Sequence, residues 1–160
     1  MKIKNPMLVA LLAAVAIVPL ISNAQSDRPT PPDGPRKENS IKMEQYTPAA
    51  VTKALKAKKP VAIFFTAEWC GYCTKLKTET FTDKAVQAKS KKFVFLLADM
   101  TDRNSTTPDE SAAAEKYGVQ GFPTTVLISK SGKYLPDVSV VGYAPPASYG
   151  ASLDKAIKSK

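Results

Sequence analysis

Phe65-Thr66-Ala67-Glu68-Trp69-Cys70-Gly71-Tyr72-Cys73-Thr74 decides how the rest of the chain reads. It contains both cysteines and the single tryptophan of the 160 residues. Just before it, Val61-Ala62-Ile63-Phe64-Phe65 is a short apolar run of β-branched and aromatic residues, the pattern of a buried strand. After it, Thr74 to Glu79 reads as helix. Two thiols two residues apart, where a strand gives way to a helix, point to redox chemistry or to metal binding.

The attacking species in disulfide exchange is the thiolate, and a free cysteine with a pKa of about 8.5 holds little of it at neutral pH. Cys70 at a helix N-terminus would meet unpaired backbone N–H groups and the positive end of the helix dipole, and both favour the anion. Cys73, one turn along, would be within reach of Cys70, so a disulfide could close with little backbone movement. On this reading Cys70 is the exposed attacker and Cys73 the buried thiol that resolves the mixed disulfide. A purely structural disulfide is the alternative, although a loop this short restrains little of the unfolded chain. A zinc site would need further cysteine or histidine ligands, which the sequence does not contain. Copper(I) held by two thiolates also fits the pair. Without histidine, Cys-His hydrolases, Ser-His-Asp triads and His-ligated metals are excluded.

Working outward, Lys2 and Lys4 precede the apolar run Met7 to Ile21, and Ser22-Asn23-Ala24 supplies small residues behind it. This is the form of a secretory signal peptide over residues 1–24, cleaved after Ala24. The run is shorter than the roughly 20 residues of a spanning helix and is interrupted by Pro19, although an uncleaved anchor has a similar outline. Residues 25–44 form a flexible linker, with Pro29, Pro31, Pro32, Pro35 and Gly34 and little to bury. One folded domain is expected over 45–160. The formal net charge is +9, and loss of Lys2 and Lys4 makes it +7. The lysines are scattered along helical faces, so a solvated basic surface is expected and not a nucleic-acid site. The expected localisation is periplasmic or secreted, with no stable membrane insertion after cleavage.

Thr47-Pro48 reads as an N-cap and first helical residue, and Pro60 ends that helix. A helix from Cys70 or Gly71 should run to about Thr80, with Thr82 or Asp83 capping a shorter helix to about Ala88. Phe93 to Ala98 is a second buried strand. Pro108 or Asp109 opens a helix that Gly118 stops. Thr125 to Ile128 is a strand, Ser131-Gly132 a hairpin turn, and Val138 to Val141 the returning strand. Pro145-Pro146 opens the last helix. The order α-β-α-β-α-β-β-α implies an α/β fold with a mixed sheet covered on both faces.

Ala67-Glu68-Trp69-Cys70-Gly71-Tyr72-Cys73, followed far downstream by Tyr117-Gly118-Val119-Gln120-Gly121-Phe122-Pro123-Thr124, resembles the two signatures of the thioredoxin superfamily. The resemblance covers roughly Thr47 to Lys158, and Phe81-Thr82-Asp83 is similar to exported Dsb-like thiol:disulfide interchange domains. It implies a thioredoxin fold, a redox disulfide between Cys70 and Cys73, and catalytic roles for both. It implies a cis peptide at Phe122–Pro123 and a substrate-binding surface of Trp69, Gly71, Tyr72, Phe122 and Pro123. The partners implied are cysteine-containing proteins and a further redox protein, with no cofactor and no metal. Many members carry a buried aspartate where this chain has Phe64, and a buried lysine where it has Leu97. Proton transfer then falls to another group, with Glu68 the first candidate and Asp99 a weaker one. The function expected is an exported thiol:disulfide oxidoreductase, as reductase or electron relay. A disulfide isomerase or oxidase, or a copper(I)-binding module of the same fold, are the alternatives.

Overall fold

All six side chains of Val61–Thr66 are buried, as expected of a strand without polar alternation. The computed structural model describes residues 40–159. The signal-like run and most of the proline-rich segment lie outside the described residues. The elements in order are β1 (Glu44–Gln45), α1 (Pro48–Lys56), β2 (Val61–Thr66), α2 (Gly71–Lys75), α3 (Lys84–Ser90), β3 (Val94–Asp99), α4 (Pro108–Lys116), β4 (Thr124–Ile128), β5 (Val140–Val141) and α5 (Pro146–Lys158). A π-helical stretch, Leu76–Thr80, continues α2.

The five strands form one mixed sheet in the order β1-β3-β2-β4-β5. β1 and β2 flank β3 in parallel, whereas β4 runs antiparallel to β2 and β5 antiparallel to β4. Alternation along β2 divides the core. Ala62 and Phe64 face one side, with Cys73 and Leu76 from the α2 segment, Val86 from α3, and Tyr149, Leu153 and Ala156 from α5. Val61, Ile63 and Phe65 face the other, with Ala54 from α1 and Ala113 from α4. Helices therefore cover both faces of the sheet, as the element order implied.

Local chemistry sets the helix starts. The Thr47 hydroxyl accepts from the Ala50 N–H at 3.0 Å, with Pro48 in the first helical turn. The Asp83 carboxylate accepts from the Ala85 and Val86 N–H groups, both at 2.9 Å. Gly118, at φ 66°, takes the left-handed conformation that ends α4.

Two elements depart from the sequence expectation. A leading strand, β1, pairs Glu44 with Leu96 and Gln45 with Leu97. Two residues are too short to show a period, and β3 supplies the backbone partner. The returning strand is reduced to Val140–Val141, because Pro136–Val138 forms a 3₁₀ turn. Proline lacks the N–H that a ladder needs and holds φ near a turn value.

Candidate active site

The chain leaves β2 at Thr66 and re-enters helix at Gly71, with Cys70 as the N-cap of α2. The Cys70 sulfur accepts from the Cys73 N–H at 3.1 Å. It thus lies where the first-turn amides and the helix dipole favour negative charge on sulfur. Cys70 and Cys73 are joined by a disulfide, with Cα atoms 5.2 Å apart. Cys70 retains 7% of its surface and Cys73 none. Cys70 keeps some exposure and Cys73 is sealed, the division of labour expected of attacker and resolver.

Trp69 and Tyr72 flank the pair and are 69% and 65% exposed. Two large aromatic side chains held in water beside a disulfide give a partner apolar surface to cover. Gly71 has open space where a side chain would project. The Phe122–Pro123 peptide is cis. The Trp69 ring meets the Phe122 ring edge to face, centroids 6.0 Å apart, which brings the distant Gly-Phe-Pro loop against the residue that precedes Cys70. The Pro123 carbonyl accepts from the Gly142 N–H at 2.7 Å and so anchors that loop to the segment after β5.

Thr101, absent from the sequence reading, is the fastening point. Its carbonyl accepts from the Trp69 indole and its hydroxyl from the Glu68 N–H, each at 2.9 Å. The Asp99 carboxylate accepts from the Thr101 N–H at 3.0 Å and from its hydroxyl at 2.5 Å. Deeper still, Glu110 is fully buried. Its carboxylate accepts from Gln45 Nε2 at 2.5 Å, the Asp99 N–H at 3.0 Å, the Thr107 N–H at 2.7 Å and the Thr107 hydroxyl at 2.8 Å. One buried side chain ties β1, the end of β3 and the start of α4 together, and fixes the strand end that carries Asp99. The Thr107-x-x-Glu110 spacing of a capping box was the available signal for it.

Phe64 lies fully buried on the α2 side of the sheet, and Leu97 packs against the same cluster. Neither supplies a proton acceptor. Glu68 is exposed, and its carboxylate and that of Asp99 both favour the charged form of Lys77, against a burial that holds the Lys77 pKa below its usual value. Among the described residues, no cluster of three or more His, Cys, Asp or Glu is placed to hold a metal ion. No described helix is long and apolar enough to cross a membrane.

A mixed five-stranded sheet, helices on both faces and a disulfide at a helix N-terminus define a protein of the thioredoxin-fold class. The family model described as a thioredoxin-like domain matches residues 47–157, and the chain belongs to that family. Its relatives include thiol:disulfide interchange protein DsbD 1 of Pseudomonas aeruginosa, 27% identical over 140 residues, which are 88% of this chain and 23% of that protein. The chain thus spans about a quarter or less of the length of the curated relatives it matches. A thioredoxin from Thermus thermophilus superposes with a TM-score of 0.59 at 26% identity, over 72% of this chain and 86% of that one. The oxidised C-terminal domain of Neisseria meningitidis DsbD does so with a TM-score of 0.59 at 22% identity, over 72% of this chain and 99% of that domain.

Proposed function

We propose that this chain is an exported thiol:disulfide oxidoreductase of the periplasm or cell exterior, acting on protein disulfides as a reductase or electron relay. The carrying observation is the asymmetry of the pair, in which Cys70 keeps some exposure and Cys73 is sealed. In the reduced protein the Cys70 thiolate attacks one sulfur of a partner disulfide. The partner's S–S bond breaks, one of its sulfurs leaves as a thiolate, and the other joins Cys70 in a mixed disulfide. Cys73, deprotonated, then attacks the Cys70 sulfur. The Cys70–Cys73 bond forms, the partner is released with two added electrons, and the protein is left oxidised. A second redox protein must return those electrons.

Trp69, Tyr72, Gly71 and the Phe122–Pro123 backbone would form the docking surface, since they lie around Cys70, the cysteine of the pair that keeps some exposure. Export rests on Lys2 and Lys4 ahead of the apolar run, and on Ser22-Asn23-Ala24 after it.

The test is insulin disulfide reduction with a dithiol as electron source. Wild-type protein turns over, and Cys70→Ser loses the activity; turnover that survives this substitution refutes the proposal. Equilibration against glutathione then assigns direction. A potential near about −270 mV supports a reductant, and one near about −120 mV an oxidant.

A further inference from the structure

Cys73 must lose a proton before it can attack, yet it is sealed in an apolar cluster with Phe64, Ala67, Leu76 and Phe81. A thiolate in such surroundings needs a nearby positive charge. Lys77 lies four residues after Cys73 in the same helical segment, and so on the same face. Helical side chains tilt back toward the N-terminus, which directs the lysine stem toward the turn of Cys73. The residue as a whole is exposed, but its ammonium lies 5.7 Å from the centroid of the buried Phe64 ring. Phe64 packs in the same cluster as Cys73.

The sheet contributes a polar end to this apolar face. Thr66 follows Phe64 by two residues and shares its side of β2. Its hydroxyl is the buried side-chain polar atom that lacks a hydrogen-bond partner among the described residues. Asp99 is its register partner on β3 and shares the side of Leu97. The charges acting on Lys77 are those of Asp99 and, from the loop before α2, Glu68. The remaining charges of the segment point elsewhere. Lys75 and Glu79 lie across the helix from Lys77 and are engaged by Tyr143, whose hydroxyl donates to Glu79 at 2.6 Å and whose ring lies 4.6 Å from the Lys75 ammonium.

We infer that Lys77 is the positioning residue that stabilises the Cys73 thiolate, while Asp99, paired in register with Thr66 on the same side of the sheet, takes the Cys73 proton. The inference rests on the exchange function proposed above and deepens it. In the mixed disulfide, the Cys73 S–H bond breaks and its proton passes to the Asp99 carboxylate. The thiolate then forms the Cys70–Cys73 bond, and the Cys70–partner bond breaks with its electron pair leaving on the partner sulfur. Lys77 has an anionic neighbour throughout, Asp99 before the transfer and the Cys73 sulfur after it.

The first test needs no exchange activity. In reduced Cys70→Ser protein, the Cys73 titration is followed by the ¹³C shift of its Cβ. Lys77→Met should raise the titration midpoint by about one pH unit, because it removes the charge and keeps the stem. Lys77→Arg should leave it in place. An unmoved midpoint in Lys77→Met overturns the inference, and so does an equal shift in Lys77→Arg. The second test uses the full chain with both cysteines and follows, by stopped flow, formation and decay of the transient mixed disulfide after mixing the reduced protein with a protein disulfide. Asp99→Asn preserves an oxygen for the Thr101 donors and should slow release about a hundredfold, the low end of what general-base assistance usually contributes. Release at the wild-type rate overturns the part given to Asp99. Wild-type protein that exchanges no disulfide would refute the proposed function, whereas the titration decides the part of Lys77 independently.

Discussion

Trp69 projects into solvent, yet its indole N–H donates to the Thr101 carbonyl at 2.9 Å. An exposed aromatic side chain held in one orientation loses little further freedom when a partner covers it. Trp69→Ala should therefore lower the rate of exchange with a protein disulfide about tenfold, the effect of losing roughly 1.4 kcal/mol of contact. Reaction with a small aromatic disulfide should change little. Stopped-flow comparison of the two substrates checks this, and equal losses on both would show that Trp69 acts on the thiol and not on docking.

Cys73→Ser should accumulate a covalent complex. With Cys70 able to attack and no second thiol to resolve, the mixed disulfide with a partner persists. Non-reducing electrophoresis after incubation with a disulfide-containing protein should show a dithiothreitol-sensitive adduct. Cys70→Ser under the same conditions should show none.

Glu110 accepts four hydrogen bonds while fully buried. Glu110→Gln replaces one acceptor oxygen with an NH₂ group that faces donors. Leaving buried donors unsatisfied should cost about 2–4 kcal/mol. Urea unfolding measures it as a lower midpoint at unchanged slope.

Tyr149 is fully buried, and its hydroxyl donates to the Thr125 hydroxyl at 3.1 Å. Burial pushes its pKa well above the ordinary tyrosine value. The folded chain then keeps a proton that the unfolded chain releases above about pH 10. Stability supplied by this group is complete below that pH and is lost as pH rises toward the folded-state pKa, at up to about 1.4 kcal/mol per pH unit. Tyr149→Phe should cost about 1 kcal/mol at neutral pH by leaving Thr125 without its partner, and should flatten the alkaline slope. Denaturation series at pH 8, 10 and 11 test both statements.

Much of this molecule is local and was legible as such. Thr47-Pro48 and Asp83 announce helix starts because the capping group and the orphan N–H it meets are only two or three residues apart. The Val61–Thr66 strand announces itself by composition, and the Cys70–Cys73 pair by a spacing that one helical turn converts into contact. The cis peptide lies at the Phe122–Pro123 bond that the sequence motif marked. Less of the surrounding site could be read. Thr101 looks like one polar residue of a loop until its carbonyl meets an indole 32 positions earlier. Glu110 looks like an exposed helical acid, although the sheet places Gln45 and the Asp99 N–H against it.

By itself, then, the sequence determined the strand-to-helix junction, the two thiols on it and the helices and central strands around them. Each depends on caps, periods and spacings within a few residues. Only the tertiary structure decided that Trp69 meets Phe122, and that the Lys77 ammonium lies over the Phe64 ring where the charges of Asp99 and Glu68 act on it. Those relations join residues on different strands, helices and loops. They are set by how side chains from both faces close-pack against the sheet, and no local pattern encodes that.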